Sequence, residues 1–191
     1  MSTVSVRFVW NIGDGIVLIP RTAAIASAYH ELFVANQARL AVWSPTRMDP
    51  TPESTLAGLE RSGQDWLAGT RLPLAIGMTA GDGHRLVGAT TLTIDGAAGS
   101  AELGFWIDAD VEGRGLVRRA VGAVLGHAFG ELGLHRVEMR TLTTNDRSRH
   151  LAERLGFTLE GILRGAIRFP DGFRDVAVYA LLAEDAADRS A

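Results

Sequence analysis

The sequence predicts an α/β (α+β) domain in which helices flank a mixed, mostly antiparallel central sheet. Short apolar runs alternate along the chain with longer segments of helical periodicity. Three of these runs follow one another with only glycine-rich turns between them, which is typical of an antiparallel meander. Helical segments separate most of the other runs and provide crossover connections. From the number of runs and helical segments, we expect about seven strands and about four helices.

The N-terminal third of the chain predicts one strand and two helices. The apolar run at 15–22 indicates a strand, and the segment 23–38 has the apolar spacing of a one-faced helix. A proline-containing loop is expected at 42–54. The second helix should begin near Thr51 and end near Gly69.

The middle of the chain predicts the meander and the longest amphipathic helix. The three strands are expected at 72–79, 85–94 and 101–108. A helix over 115–132 places its apolar residues on one stripe, and Gly133 is a suitable stop. The connection between this helix and the preceding strand is short and contains two glycines.

The C-terminal third predicts a strand, a helix and two final strands. Alternation indicates a strand over 135–143, and 145–156 has the pattern of a short capped helix. Two further strands are expected around 157–169 and 173–182. A polar tail is expected from about residue 184.

Composition limits the function classes. The chain has 191 residues, of which 47% are hydrophobic, and we expect residues 1–191 to form a single domain. A net charge of -3 gives no general attraction to nucleic acid or to a membrane surface. There is no cysteine, which excludes disulfides and a thiol nucleophile. No signal peptide and no long apolar run are present, so a cytoplasmic protein that binds neither membrane nor nucleic acid is expected.

The five histidines show no metal-ligand spacing, so we expect no metal site. His150 lies near Asn145 and Ser148 and is a minor candidate for proton transfer.

The stretch "DADVEGRGLVRRA" at 108–120 has the character of an anion site. Gly113 and Gly115 lie between a predicted strand and a predicted helix, where free backbone amides meet the positive end of the helix dipole. Glycine permits the dihedral angles that turn successive amides toward a phosphate. Arg114 and Arg118 add positive charge. The alternative, a tight turn with solvated arginines, stays open on spacing alone.

Residues 101–164 resemble the GCN5-related N-acetyltransferases (GNAT), and in particular the branch of ribosomal-protein N-terminal acetyltransferases RimJ and RimL. The family motif Q/R-x-x-G-x-G/A falls on 112–117, where Glu112 and Val117 depart from it. The segment "TTNDRSRHLAERLGF" at 143–157 is similar to the family's N-x-x-S helix followed by L-G-F. Upstream, "NQARLAVWSP" at 36–45 is similar to the same branch.

The resemblance implies a GNAT fold whose splayed strand pair forms a cleft for the cosubstrate acetyl-CoA. It implies that one strand pairs through its backbone with pantetheine, that the glycine loop holds the pyrophosphate, and that an asparagine bonds the cofactor between the strands. A gap is expected between the strands at Ile107 and Met139. A carboxylate at Glu112 should point away from the pyrophosphate or meet Arg114. The residues that the resemblance assigns to the cofactor are Phe105, Trp106, Ile107, Gly113, Arg114, Gly115, Leu116, Val117, Arg118 and Asn145.

Acetyl transfer to an amine needs a base for the nucleophile, and two strand carboxylates are candidates. Alternation places Glu102 on the same strand face as Gly104 and Trp106, beside the expected thioester, which makes it the first candidate. Glu138 on the neighbouring strand is the second. A solvated or salt-bridged carboxylate is the alternative for each.

The leaving thiolate needs a proton, and the resemblance points to Ser148 as its donor. Many relatives outside this branch carry a tyrosine at the position of Ala152, which leaves the serine as the better candidate. The alternative is a serine that only caps the helix. Where RimL-like enzymes can carry a glutamate on the penultimate strand, this chain has Ile167, so the base is left open.

The function expected from the resemblance is acetyl-CoA-dependent N-acetylation of a primary amine by direct attack on the thioester. The acceptor would be the N-terminal α-amino group of a ribosomal or other protein. The alternatives are a small-molecule amine such as a polyamine or an aminoglycoside, and a noncatalytic acyl-CoA-binding module. The charges of Arg47, Asp49 and Glu53 in the predicted loop nearly cancel and do not decide the acceptor. The family also suggests a homodimer.

Overall fold

The computed structural model describes residues 2–4, 6, 8–44 and 50–188. Arg47 and Asp49 of the predicted loop lie outside the described residues, as do the last three positions of the predicted tail. In order along the described chain, the strands and α-helices are β1 Thr3–Val4, β2 Trp10–Asn11, β3 Ile16–Pro20, α1 Ala26–Ala41, α2 Pro52–Leu67, β4 Arg71–Ala80, β5 Gly83–Asp95, β6 Ser100–Ile107, α3 Leu116–Gly130, β7 Arg136–Leu142, α4 Asp146–Leu155, β8 Thr158–Phe169, β9 Gly172–Leu182 and α5 Ala183–Asp188.

The strands form one mixed sheet in the order β2-β3-β4-β5-β6-β7-β9-β8, with β1 added beside β5. All neighbouring pairs are antiparallel except β6 and β7, which are parallel and joined through α3. The predicted α/β class and the meander β4-β5-β6 are confirmed. The strand number exceeds the prediction because β1 and β2, each of two residues, are too short to give a period. The predicted tail begins with the short helix α5.

Local signals set the helix ends. Thr51 caps α2 by accepting a hydrogen bond from the Ser54 N–H at 3.1 Å, and Pro52 begins the first turn. α4 ends at Gly156, whose φ of 95° lies in the left-handed region that glycine tolerates. Both ends lie where the sequence predicts them.

Two apolar cores lie on opposite faces of the sheet. One is built mainly against α3 and includes Leu18, Leu103, Val121, Met139 and Tyr179. The other is built against α1 and α2 and includes Val17, Ile19, Tyr29, Leu32 and Leu59. Packing on both faces holds the central strands in place, so a cleft within the sheet has rigid walls.

The parallel pair β6-β7 separates after three residues. Pairing runs from Ser100 opposite Arg136 to Glu102 opposite Glu138 and then stops. β6 stays paired with β5 as far as Ile107, while β7 stays paired with β9 along its whole length. The expected gap is confirmed, since both Ile107 and Met139 lie beyond the last β6-β7 pair.

Candidate functional site

A cleft of about 480 Å³ opens between β6 and β7 where their pairing stops. It brings together four of the residues predicted for the site, Glu102, Phe105, Asn145 and Ser148. Glu138, Trp106, Ile107 and the residues of the glycine loop are not among its lining residues. The lining consists of Trp43, Glu102, Leu103, Gly104, Phe105, Met139, Arg140, Thr141, Leu142, Asn145, Ser148, Leu163, Ala166, Ile167 and Val176.

The open edge of β6 presents backbone groups from alternate residues. The Asp108 N–H donates to the Val87 carbonyl at 2.7 Å, which marks a hydrogen-bonded pair between β5 and β6. Because such pairs alternate along an antiparallel ladder, Trp106 also directs its backbone groups to β5. Phe105 and Ile107 therefore direct their N–H and C=O groups toward the gap.

The three residues predicted to pair with pantetheine, at 105–107, therefore make different contacts. The Trp106 ring packs against Tyr29 and Phe33 of α1, with ring centroids 6.2 and 6.1 Å apart. The Ile107 carbonyl accepts a hydrogen bond from the Arg39 guanidinium. Phe105 alone of the three lines the cleft.

The glycine loop has the backbone conformation that its composition predicts. Gly113 and Gly115 have φ values of 75° and 73°, and Gly115 is the N-cap of α3. A Cβ added to either glycine would meet no atom within 4 Å, so the conformation, not crowding, requires glycine. No side chain caps the amides of the first turn of α3 in the described structure, which leaves them available to an anion. Leu116 is buried in the core beneath the loop, and only its backbone can contribute.

Glu112 meets two arginines, but neither is Arg114, the partner that the sequence suggests. Its carboxylate pairs with Arg39 of α1 and with Arg147 of α4. Arg114 instead extends along the exposed loop and donates to the Asp110 carbonyl at 3.5 Å. The expected contact with Arg114 is wrong, because Arg39 and Arg147, from the helices α1 and α4, supply the partner cations instead. Glu112 therefore does not present an uncompensated negative charge to a diphosphate.

Asn145 and Ser148 hold the start of α4 beside the cleft. The Asn145 side chain is the helix cap, because its Oδ1 accepts a hydrogen bond from the Ser148 N–H at 3.2 Å. Ser148 lies in the first turn and not at the cap, so the alternative of a capping serine is wrong. Ala152, one turn further on, is fully buried in the core. His150 is exposed and does not line the cleft.

The two candidate bases lie opposite each other but have different surroundings. Glu138 accepts hydrogen bonds from Arg136 at 2.9 Å and from Arg140 at 3.1 Å, and these bonds, that from Arg136 foremost, hold its pKa below the usual value. Glu102 is more exposed, and its nearest described cation is Arg140 at 3.9 Å. Glu102 lines the cleft, whereas Glu138 does not.

An irregularity in β8 forms the wall of the cleft opposite β6. The register of β8 on β9 shifts between Leu163 and Ile167, and Gly165 within it has a φ of 58°. The Gly165 N–H donates to the Asp175 carboxylate at 2.7 Å and fixes the bulge. Ile167 thereby lies in an apolar wall of the cleft with Val176.

The sequence analysis included Trp43 only as part of the segment 36–45 and assigned no role to Arg39, Arg140 or Arg147. Trp43 follows α1 and lines the cleft, whereas Trp10 and Trp66 are packing residues, against His127 and Phe8 respectively. The only sequence signal for Trp43 was its resemblance segment. Arg39 and Arg147 both pair with Glu112, 73 and 35 residues away along the chain, so no local pattern relates them to it. Arg140 pairs with Glu138 two residues before it, and this same-face spacing on a strand is the signal that could have found it.

Over the described ranges, no helix has the length and apolar character needed to span a bilayer. The same residues contain no cluster of three or more metal-ligating side chains.

Comparisons with known proteins agree with this geometry. A family model described as an acetyltransferase (GNAT) domain matches residues 16–158. The chain is 32% identical over 158 residues to the putative ribosomal N-acetyltransferase YdaF of Bacillus subtilis, covering 80% of this chain and 82% of that protein. It resembles the structure of Mycobacterium smegmatis RimJ in complex with CoA-disulfide at 28% identity and a TM-score of 0.81, over 91% and 87% of the two chains. Similarity to RimL in complex with coenzyme A, with a TM-score of 0.86 at 21% identity over 94% and 99% of the chains, concerns the fold alone.

Proposed function

Since the chain belongs to the GNAT acetyltransferase family and is an acetyl-CoA-dependent N-acetyltransferase, we propose that its acceptor is the α-amino group of a protein N-terminus. Ribosomal proteins are the first class to test, because the relatives YdaF and RimJ bear names of that branch. The observation that carries the proposal is the composition of the cleft. It is an open groove with apolar walls and nearly balanced charge, which suits the end of a peptide.

The charges of the cleft argue against a polycationic acceptor. Glu102 and Arg140 are the charged residues among its described lining residues, and they have opposite signs. A polyamine or an aminoglycoside would gain from several carboxylates, which would attract its several positive charges. The apolar side chains of Trp43, Leu163 and Ile167 suit instead the small uncharged side chain of a first residue.

The backbone geometry supports the cofactor site that we propose. In this proposal the amides of Gly113, Arg114, Gly115, Leu116, Val117 and Arg118 bind the diphosphate at the N-terminus of α3, which no described side chain caps. At the open edge of β6, the backbone groups of Phe105 and the N–H of Ile107 suit the amides of pantetheine. Asn145, the N-cap of α4 that lines the cleft, completes the proposed set.

Acetyl-CoA supplies the activated acetyl thioester that the acceptor amine attacks. We assign to Glu102 the proton that the amine loses as its nitrogen bonds to the acyl carbon, because Glu102 is the carboxylate among the described lining residues. We assign to Ser148 the proton that the sulfur takes up as the carbon–sulfur bond breaks, because Ser148 lines the same cleft. Glu138 is the weaker candidate base, because its two arginine partners stabilise its charged form.

The ribosomal-protein branch suggests that the enzyme acts in the cytoplasm, where new N-termini are made. A homodimer stays a prediction from the family, and the size of the protein in solution would test it. Residues 1–191 as a single domain are likewise a prediction, and one cooperative thermal transition would support it.

Thiol release with acetyl-CoA over an acceptor panel tests the proposal. The panel contains N-terminal peptides of ribosomal proteins, polyamines and aminoglycosides, with N-terminally blocked, lysine-containing peptides as the control. We expect free N-terminal peptides to react and blocked peptides not to. A higher kcat/KM for a polyamine or an aminoglycoside would overturn the assignment of the acceptor.

The catalytic roles are tested on the best peptide. Glu102→Gln and Ser148→Ala should each lower kcat by about 10²-fold, the usual effect of losing an acid or base. Glu138→Gln is the matched control on the neighbouring strand and should stay within about threefold of the parent, since its carboxylate does not reach the cleft. Full turnover in the Glu102 and Ser148 variants would show that both roles are wrong.

A further inference from the structure

Arg39, in the last turn of α1, connects segments that lie far from it in sequence. Its guanidinium donates to the carboxylate of Glu112 and to the backbone carbonyl of Ile107. It also donates to the Asn36 side chain at 3.2 Å. Ile107 ends β6, and Glu112 directly precedes the glycine loop. One side chain thus contacts both segments that are expected to hold the cofactor.

The chain between these contacts is fixed to α1 as well. Asp108 is 3% exposed, and its carboxylate accepts hydrogen bonds from Asn36 at 3.1 Å and from Arg85 at 3.2 Å. The Ala109 N–H donates to the Asn36 side-chain oxygen at 3.2 Å. The path from β6 to the loop is therefore held against α1 by a buried polar network, and Arg39 extends that network to the loop itself.

We propose that Arg39 is a positioning residue for coenzyme A, which sets the position of the diphosphate loop relative to the open edge of β6. Gly113 and Gly115 give the loop its conformation but allow many others, and this freedom must be lost when a ligand binds. Holding Glu112 to α1 before binding removes part of that cost. The planar fork of arginine suits two acceptors at once, whereas a lysine ammonium can reach Glu112 or Ile107 but does not bridge them in the same way.

Arg147 has a different part in the same cluster. It pairs with the other carboxylate oxygen of Glu112, but its side chain is 81% exposed, against 32% for Arg39. It makes no contact with Ile107 among the described interactions. Arg147 adds charge beside the loop, while Arg39 links the loop to the strand.

Calorimetric binding of coenzyme A tests the proposal without any acceptor, so its outcome is independent of the acceptor proposed above. Arg39→Ala should raise the Kd for coenzyme A by about tenfold, and Arg39→Lys by a smaller factor. Arg71→Ala is the matched control, because Arg71 also pairs with a carboxylate, Asp65 at 3.6 Å, but lies outside the cleft. It should leave the Kd unchanged. Glu112→Gln keeps an oxygen that can accept from Arg39 but loses its charge, and it should raise the Kd by a smaller factor than Arg39→Ala does.

Kinetics with the best acceptor distinguish positioning from general damage to the fold. Arg39→Ala should raise the KM for acetyl-CoA by a factor similar to that for the Kd, with kcat within about twofold. A Kd within twofold of the parent, or a fall in kcat with an unchanged KM, would overturn the proposal. If Arg39→Ala does not fold, Arg39→Lys is judged by the same criteria, and a Kd equal to that of the parent would again overturn it.

Discussion

At the scale of single residues, Glu102 and Glu138 have the same side chain, but their surroundings give them different abilities to accept a proton. They face each other in register on β6 and β7. Glu138 lies between Arg136 and Arg140, which lower its pKa, while Glu102 is more exposed and lies beside the gap. A carboxylate whose charged form is stabilised in this way is a poor proton acceptor near neutral pH. The difference comes from Arg136 and Arg140, which strand alternation places on the same face of β7 as Glu138.

The cluster around Glu138 should make stability depend on acidic pH. Hydrogen bonds from Arg136 lower the pKa of both Glu138 and Glu160 in the folded protein. A lowered folded pKa contributes stability that is present above the unfolded value, about 4.3 for glutamate, and is lost as the pH falls through the folded pKa. Glu138→Gln should therefore reduce the acid dependence of Tm below about pH 5 and lower Tm at pH 7 by about 1 to 4 °C.

Thermal melts at a series of pH values from 7 down to 3 measure this effect. The exposed Glu60 on α2 provides the control, since Glu60→Gln should retain the acid dependence of the parent protein. An unchanged pH profile in Glu138→Gln would contradict the prediction.

The residue type at position 112 does not by itself show whether the negative charge of Glu112 is compensated. In the sequence it is a departure from a motif and a negative charge beside a phosphate site. In the structure two arginines compensate it, one 73 residues and the other 35 residues away along the chain. No local pattern relates such positions, because the contacts exist only once α1 and α4 pack beside the loop.

At the scale of elements, alanine should have opposite effects on stability at two glycines, one in the turn before α3 and one within α3 itself. Gly115→Ala places a Cβ on a residue with a φ of 73° and should destabilise the protein by about 1 kcal/mol. Gly126→Ala lies on the exposed face of the same helix, where an added Cβ meets no atom within 4 Å, and should stabilise it by about 0.5 to 1 kcal/mol. Urea unfolding of the two variants measures both signs.

The same pair of variants separates folding from binding. Gly115→Ala should also weaken coenzyme A binding, because it alters the amides that we propose bind the diphosphate, whereas Gly126→Ala should not. Equal changes in stability for the two variants would show that the turn does not need the left-handed conformation.

The ends of the elements were predictable because local chemistry sets them. Thr51 and Gly156 are a cap and a stop of the kinds that their residue types favour. The role of Ser148 was ambiguous for the same reason, since Asn145 and Ser148 both suit a cap and only the backbone shows which side chain accepts the bond. The bulge at Gly165, which places Ile167 in the cleft wall, leaves no periodic signal.

At the scale of the whole molecule, the pattern of strands and helices predicted the class of fold but not its cleft. Periodicity orders the elements, and the glycine turns of the meander identify antiparallel neighbours. Periodicity does not show that β6 and β7 separate after Glu102 and Glu138, because pairing between distant strands depends on what covers both faces of the sheet. That expectation came from resemblance to a family, and the register of the strands confirms it.

The gap predicts which amides coenzyme A will protect from hydrogen exchange. In the free protein, the N–H groups of Phe105 and Ile107 face the opening, whereas the backbone of Trp106 is turned to β5. Saturating coenzyme A should slow the exchange of the two edge amides by about tenfold or more beyond any general slowing, since pantetheine would pair with that edge. Trp106 should slow only as much as the amides of β4, which report the general stabilisation by ligand binding. Exchange followed by NMR residue by residue makes the comparison within one strand. Equal slowing at 105, 106 and 107 would mean that the ligand stabilises the molecule without binding along β6, and the cleft would then have another use.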